Sequence, residues 1–198
     1  FDDAARYFRK AISLLPKNRW DTPTHQFCLR LYVFSAEIEC CLGHAEQVDV
    51  LVDDILQNTT ELKDQLPAYE TKIHSLSVRN QFHDAVKLAY HILRILDEPM
   101  GKRRGGLRDF GDLFYVLRLL RNIREEKVLN LPLMNDWKKL AAMKILHYAA
   151  PSVIQSNPED MLHFVLIGVK LTLKHGLAPL SCLQFTSLGM ILCNPLFM

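Results

Sequence analysis

The pattern of apolar positions between Gly43 and Ile92 repeats at a fixed offset. A turn-forming residue is followed by small or apolar residues spaced three, four and three apart, and the set recurs thirty-seven residues later. This spacing places the residues on one narrow face of a helix, where small side chains let a neighbouring helix come close. An offset in the thirties predicts stacked helical hairpins. The paired positions are Gly43, Ala45, Val48, Val52 and Ile55, matched by Asn80, Phe82, Ala85, Ala89 and Ile92.

The same spacing returns near both ends of the sequence. Its first occurrence is Phe1, Ala4, Phe8 and Ala11, and its last is Gly176, Ala178, Ser181, Phe185 and Leu188. We therefore expect at least four copies of one packing rule, separated by a diverged middle, in an all-α fold of antiparallel helical hairpins. The sequence predicts no strand. Predicted helices cover residues 1–15, 24–42, 44–58, 67–79, 82–96, 109–127, 137–149, 158–174 and 177–192.

Prolines and apolar stripes set the details of these helices. Pro67 is predicted at a first helical position, where its missing donor is harmless, and Pro151 is predicted to end a helix. In the helix after Thr24, the residues predicted to share one stripe are Phe27, Leu31, Phe34 and Ile38. In the helix of 109–127, the inward residues are predicted to be Leu113, Val116, Leu117, Leu120 and Ile123.

The pattern divides the chain into three segments. Residues 1–97 are predicted to form the first hairpins, residues 98–107 a glycine-rich basic loop, and residues 108–198 a continuation of the helical region. The sequence opens on Phe1 inside a helical pattern and stops after an apolar stretch. Because repeat arrays usually carry polar caps, we expect a piece of a longer protein, truncated at both ends.

Composition narrows the function classes. Apolar residues make up 49% and charged residues 23%, which is ordinary for a folded globular protein, and the net charge of +2 gives no global field for nucleic acid. Five cysteines without metal or secretory spacing are expected to be buried apolar residues in a reducing compartment, which favours a cytoplasmic location. The last stretch, 177–198, contains no charge, but its prolines and amides favour a core helix over a membrane span.

No reaction centre is visible in the residues. The run Gly101 to Gly106 lacks the order GxxxxGK[ST] and the preceding strand that a nucleotide loop requires. Neither an HExxH motif nor paired cysteines are present, and His83 and His91 lie too far apart along one helix to share an ion. We therefore expect no catalytic residue, no cofactor and no metal site.

One region carries a charge asymmetry. From Lys102 to Lys127 there are eight basic and four acidic residues, a local charge of +4 in a chain whose total is +2. This is consistent with a solvated face, and also with a surface for an acidic partner. The residues of this candidate partner surface are Lys102, Arg103, Arg104, Arg118, Arg121 and Arg124.

Ala4, Phe8, Ala11 and Pro16 resemble the second-helix pattern of tetratricopeptide repeats, which implies a right-handed solenoid of hairpins. A more specific likeness lies in the order of several phrases along the chain. This order of segments is similar to that in the helical region of large signalling proteins. In those proteins, such a region follows a serine/threonine-kinase-like domain and an AAA-type ATPase and precedes GAF and histidine-kinase modules. The phrases are Ala11 to Pro16 with Trp20, Lys72-Ile73, Leu131 to Met134, Leu140 to Leu146 and Leu173 to Gly176.

This resemblance implies a non-catalytic scaffold or sensor segment that links the ATPase to output modules and offers a surface to a protein or ligand. Its expected partners are other domains of the same polypeptide or another protein, with neither nucleic acid nor membrane among them. A stand-alone tetratricopeptide-type adaptor is the alternative. A hydrolase inside an α-helical fold ranks third, and would require a cleft holding perturbed polar groups.

Overall fold

The computed structural model describes residues 1–21, 23–98, 106–122, 128 and 130–193, and this part of the chain is all-α. It divides into two compact units, Phe1–Ala85 and Val86–Met198. A short 3-10 helix, Pro158–Asp160, precedes α8. The α-helices in the described part are α1 (Asp2–Ser13), α2 (His25–Cys41), α3 (Ala45–Asn58), α4 (Leu62–Val78), α5 (Phe82–Ile95), α6 (Gly106–Asn122), α7 (Trp137–Ser156), α8 (Met161–His175) and α9 (Ser181–Leu192).

The first unit is built around α2, which packs against α1, α3 and α4. Its core is one continuous cluster contributed by α2, α3 and α4, and Trp20 from the α1–α2 link packs on its edge. Ion pairs also join these elements, among them those from Asp49 of α3 to Lys72 and Arg79 at α4. The buried cluster consists of Leu29, Tyr32, Val33, Cys40, Val48, Val52, Ile55 and Ala68.

The repeated pattern corresponds to helices of matched length and to turns with the same backbone conformation. Helices α2 and α4 are both 17 residues long, and α3 and α5 are both 14. Each pair is joined by a turn whose key residue has a positive φ, 76° at Gly43 and 59° at Asn80. The residues predicted for the packing face are buried in both copies, with 1% exposure or less at Val48, Val52, Ile55, Ala85, Ala89 and Ile92.

Two prolines lie inside helices, and the predictions made from them were wrong. Pro67 lies within α4, which begins at Leu62, and Pro151 lies within α7, which continues to Ser156. Each proline leaves one carbonyl four residues earlier without its helical donor. Those carbonyls belong to Lys63 and His147, whose exposure lets water replace the lost bond. The helices continue because buried residues follow each proline, including Ala68 and Val153.

The apolar stripe predicted on α2 is not the buried face of that helix. Phe27 is 62% exposed and Phe34 is 45% exposed, while Leu31 and Ile38 are only partly buried. The buried face of α2 is instead formed by Leu29, Tyr32, Val33, Ser35, Ala36, Glu39 and Cys40, together with Cys28. Periodicity did not distinguish the two stripes because both are apolar, and only packing against α3 and α4 chooses between them.

In the second unit, α8 packs against α6, α7 and α9. Its core cluster is Val116, Val165, Leu166, Val169 and Leu188, with Leu113, Leu120 and Phe185 at the edge. Val116, Leu113 and Leu120 thus face inward as predicted, Leu117 is 38% exposed, and Ile123 lies outside the described residues. None of the described helices combines the length and apolar character needed to cross a membrane.

The start of α9 is set by a backbone bridge. Leu177 donates its amide to Pro132 O at 2.8 Å, and Met134 donates to Leu177 O at 2.8 Å. This isolated parallel bridge between Leu133 and Leu177 holds the chain extended after Gly176, so the helix begins at Ser181 rather than near Leu177 as predicted. The segment from Leu131 to Met134 is therefore extended and is hydrogen-bonded to the backbone of Leu177.

Candidate functional site

The outer face of α6 carries an open groove lined by aromatic, aliphatic and basic side chains. Phe114, Leu117, Arg118 and Arg121 line a space of about 620 Å³. They follow the spacing of one helical face, at successive intervals of three, one and three positions. Phe114 is 70% exposed, and Tyr115 beside it is 54% exposed. Aromatic and arginine side chains together are typical of protein-binding surfaces.

The inner face of α6 fixes this groove in place. Val116 is fully buried in the core of the second unit, with Leu113 and Leu120 against it. Asp112 anchors α6 to α8, since its carboxylate lies 2.7 Å from Lys170 Nζ and 4.0 Å from His163 Nδ1. The exposed aromatic and basic residues are therefore presented by a helix that is held by both apolar packing and charge.

The six residues predicted as a partner surface divide into two groups. Arg118 and Arg121 are exposed on the same groove, and neither forms an ion pair with another described residue. Lys102, Arg103, Arg104 and Arg124 lie outside the described residues, as does most of the predicted loop 98–107. Sequence reasoning did not include the apolar half of the groove, Phe114 and Leu117, because Leu117 was assigned to the core.

A second groove lies between α1 and α2 in the first unit. It encloses about 460 Å³ and is lined by Phe8, Gln26, Phe27, Arg30, Leu31 and Phe34. The rings of Phe8 and Phe34 meet edge to face, with their centroids 6.5 Å apart. Arg30 is exposed and makes no ion pair within the described part of the chain. The sequence did not predict this groove, because its apolar residues follow the same helical spacing as residues that pack in a core.

A buried carboxylate joins α1 to the turn between α2 and α3. The side chain of Glu39 is 1% exposed and receives Arg9 Nε at 2.6 Å and Arg9 Nη2 at 2.7 Å, while His44 Nδ1 lies 2.7 Å away. The hydrogen bonds from Arg9 hold the pKa of Glu39 below its ordinary value, although burial opposes this, and His44 adds to the lowering. Because both carboxylate oxygens of Glu39 have hydrogen-bond partners, this cluster joins α1, α2 and the turn between α2 and α3.

A polar pocket in the second unit is lined by ion-paired side chains. It measures about 290 Å³ and is lined by Glu98, Asp112, His163, Lys170, Lys174 and His175, with two apolar neighbours. Asp112 is bound to Lys170, and Glu98 lies 2.6 Å from Lys139 Nζ. Among the described residues, no group of three or more His, Cys, Asp or Glu side chains is placed to hold a metal ion.

The cysteines are free thiols, and their exposure differs from the prediction. Cys28 and Cys40 are buried, but Cys41, Cys182 and Cys193 are exposed, so the expectation of five buried cysteines was wrong for three. Burial raises the pKa of the Cys40 thiol to about 11, with a smaller contribution from Cys41, and burial also raises the pKa of Cys28. Both buried thiols are therefore protonated at neutral pH and poor nucleophiles.

Comparison of the chain with protein-family models, curated proteins and solved structures gives no match. The resemblance to helical regions of ATPase- and kinase-containing signalling proteins therefore stays a prediction from the sequence.

Proposed function

We propose that the chain is a non-catalytic helical-repeat scaffold that binds an acidic segment of a protein partner through the outer face of α6. The observation that carries the scaffold half of this proposal is that helix length, turn conformation and buried positions recur at an offset of thirty-seven residues. Helices of matched length follow matched turns, and the same positions are buried each time. Repeats of this kind bury their apolar faces only by stacking, which is the basis of solenoid scaffolds.

The partner half of the proposal rests on the groove of α6. Two arginines without ion-pair partners among the described residues stand beside an exposed phenylalanine and leucine. Arginine offers several donors to carboxylates at little desolvation cost, and the exposed ring adds apolar area. A partner segment that alternates carboxylates with aromatic or aliphatic side chains matches both features.

Binding of a defined acidic peptide tests this proposal. The probe is a fluorescent peptide in which Glu alternates with Phe, compared with the same peptide carrying Gln in place of Glu. The double variant Arg118→Glu with Arg121→Glu should lower the affinity for the acidic peptide at least about tenfold and remove its salt dependence. The matched control, Lys10→Glu with Arg94→Glu, changes the net charge equally at exposed positions elsewhere. Equal losses in both double variants would show that only the global charge matters.

The wider context that we propose is a multidomain signalling protein in which this segment links an AAA-type ATPase to output modules. A stand-alone adaptor of tetratricopeptide type is the second candidate, because the binding proposed above requires no catalytic domain in the same polypeptide. The full transcript distinguishes the two, since ATPase and kinase domains encoded on either side of this segment would support the first. Calorimetry should detect no magnesium-dependent ATP binding to the chain itself.

A further inference from the structure

Helix α3 is fixed in the first unit by its buried face and by its two flanks. Its buried residues pack against α2 and α4. On one flank Asp49 lies 2.7 Å from Lys72 Nζ, and on the other Asp54 lies 3.4 Å from Arg19 Nη2. These contacts leave the outer face of α3 in contact with solvent, on a helix whose position is set by the rest of the unit.

The outer face of α3 carries an aliphatic side chain between two carboxylates. Glu46, Val50 and Asp53 are four and three positions apart, so they lie on one stripe of the helix, and all three are exposed. Val50 is 62% exposed. Neither Glu46 nor Asp53 forms an ion pair within the described part of the chain. This stripe therefore has the composition expected of a segment that binds the groove of α6.

The groove of α6 has an apolar half and a basic half. Phe114 and Leu117 form the apolar half, and Arg118 and Arg121 form the basic half. The centres of the two halves lie four positions apart along the helix, which is about 6 Å at a rise of about 1.5 Å per residue. Because the apolar half comes first in the sequence, the groove has a direction along α6.

The stripe on α3 has the same separation in the opposite direction. Glu46 precedes Val50 by four positions, which is again about 6 Å. An antiparallel arrangement of the two helices therefore places Val50 over the apolar half of the groove and Glu46 between Arg118 and Arg121. The planar guanidinium groups then both donate to one carboxylate. Asp53 lies beyond the apolar half, away from both arginines.

We propose that the acidic segment bound by the groove of α6 is the outer face of α3 in a second copy of this chain. This inference rests on the proposed function, because it names the occupant of the same groove. It is supported by charge complementarity together with matched spacing, between two exposed arginines on one surface and an exposed carboxylate and valine on the other. Because the two surfaces differ, contacts between copies continue from molecule to molecule unless they close into a ring.

Sedimentation equilibrium of the full chain measures this association. One helical face on one groove is smaller than a standard protein interface, so we expect weak association that depends on protein concentration. The weight-average mass should rise as the protein approaches about 1 mM in about 0.05 M NaCl, and about 0.5 M NaCl should weaken association at least about tenfold. A chain that stays monomeric at low salt would overturn the proposal. Association that salt leaves unchanged would also overturn it, since apolar contacts elsewhere would then be responsible.

Charge reversal identifies the two sides of the contact. Arg118→Glu with Arg121→Glu, and separately Glu46→Arg, should each weaken association at least about tenfold, because each places like charges opposite one another. An equal mixture of these two variants should associate within about threefold of the unchanged chain, since opposite charges then meet again at every contact. A mixture that stays dissociated would overturn the assignment of α3 as the occupant.

Far-UV circular dichroism checks that each variant keeps its helices, as expected for substitutions at exposed positions. Glu46→Gln removes the charge without reversing it and should weaken association about threefold. If Glu46→Arg fails to fold, Glu46→Gln decides in its place, and association at full strength in Glu46→Gln would overturn the proposal.

Two matched controls change the net charge as Glu46→Arg does. Asp53→Arg lies on the same stripe and Glu61→Arg at the start of α4, both at exposed positions. Each should associate within about threefold of the unchanged chain, because neither side chain meets the arginines of α6. A loss in Asp53→Arg as large as that in Glu46→Arg would overturn the antiparallel register. An equal loss in Glu61→Arg would show that only the net charge matters.

The peptide in which Glu alternates with Phe separates this inference from the proposed function. The peptide should compete with a second copy for the groove of α6, and so lower the weight-average mass of the associated chain. If the peptide binds through Arg118 and Arg121 while the chain remains monomeric, the second copy is overturned and the proposed function stands. If neither the peptide nor a second copy binds, both are overturned.

Discussion

Gly43 and Asn80 lie thirty-seven residues apart and hold the same left-handed backbone conformation, with φ of 76° and 59°. Each closes its helix with the same pair of hydrogen bonds. His44 N donates to Glu39 O at 2.9 Å and Gly43 N to Cys40 O at 3.1 Å, and in the second turn the amides of Gln81 and Asn80 make the corresponding bonds at 2.9 and 3.0 Å. The residue in the left-handed conformation is thus the point from which each second helix starts.

Replacing Gly43 with Ala should destabilise the first unit by about 1–2 kcal/mol, because an L residue is strained in the left-handed region. No heavy atom lies within 4 Å of the position that the new Cβ would occupy, so the change isolates backbone strain from packing. Urea unfolding followed by Trp20 fluorescence, in a Trp137→Phe background, measures the loss.

The control for this change is Gly189→Ala inside α9, where the new Cβ also meets nothing within 4 Å. Here φ is helical, and the same substitution should stabilise by up to about 1 kcal/mol, since Ala is the better helix former. Effects of the same sign at both positions would contradict the role assigned to the turn.

The repeated face makes a separate prediction at Ala85. Its side chain is fully buried at the position equivalent to Val48, so Ala85→Leu should overpack the interface and destabilise the protein by about 1–3 kcal/mol. His83 lies on the exposed side of the same helix, and His83→Leu should change stability by less than about 0.5 kcal/mol. Thermal unfolding of both variants provides the comparison, and equal melting temperatures would mean that the packing face is misassigned.

The buried positions of α3 and α5 were predictable because the pattern combines a turn-former with small residues, two signals that agree. Val48, Val52, Ala85 and Ala89 are buried as the spacing requires. The face of α2 was not predictable, since Phe27 and Phe34 are as apolar as the residues that pack, and only tertiary contacts decide. The continuation of the helices through Pro67 and Pro151 was not predictable either, because it also depends on tertiary contacts. Burial of the later residues outweighs one lost hydrogen bond in each helix.

The basic residues of the candidate surface on α6 were predictable from the sequence, but its apolar residues were not. Arg118 and Arg121 could be placed on one side of a helix from their spacing, and both are exposed on the groove of α6. The apolar members of that groove could not, because Leu117 belongs equally well to the inward stripe by periodicity. Glu39 gave no sequence signal at all, since its partner Arg9 is thirty residues away and only the packing of α1 on α2 brings them together.

Stability should depend on pH through Glu39. Its pKa is lowered in the folded state, chiefly by the hydrogen bonds from Arg9, so the contribution is fully present above the ordinary value of 4.5 and is lost as pH falls through the folded pKa. At neutral pH, Glu39→Gln should therefore destabilise the protein by about 1–3 kcal/mol, as expected for hydrogen bonds to a charged group. The free energy of unfolding of both proteins, measured by urea titration between pH 7 and pH 3, gives the difference.

This difference should begin to shrink below about pH 4.5, where the unfolded chain takes up a proton at Glu39, and should disappear as the pH falls through the lower folded-state pKa. Glu46→Gln is the control at an exposed position in the first turn of α3, and it should leave stability within about 0.5 kcal/mol at every pH. A Glu39→Gln effect that stays constant down to pH 3 would show that the loss comes from altered packing and not from the charge.

Among the glycines whose surroundings the structure describes in the second unit, Gly176 should be the least replaceable. A Cβ at this position would lie 2.2 Å from Pro132 O, and φ is 105°, so alanine meets both a backbone oxygen and backbone strain. Since Pro132 O also accepts the amide of Leu177 at 2.8 Å, the carbonyl cannot move away without breaking the bridge. We expect Gly176→Ala to destabilise the second unit by about 3 kcal/mol or more, the sum of a collision and a strained φ. Urea unfolding followed by Trp137 fluorescence in a Trp20→Phe background measures this loss, with Gly43→Ala giving the strain alone. A loss no larger than that of Gly43→Ala would mean that the bridge yields easily and does not fix the start of α9.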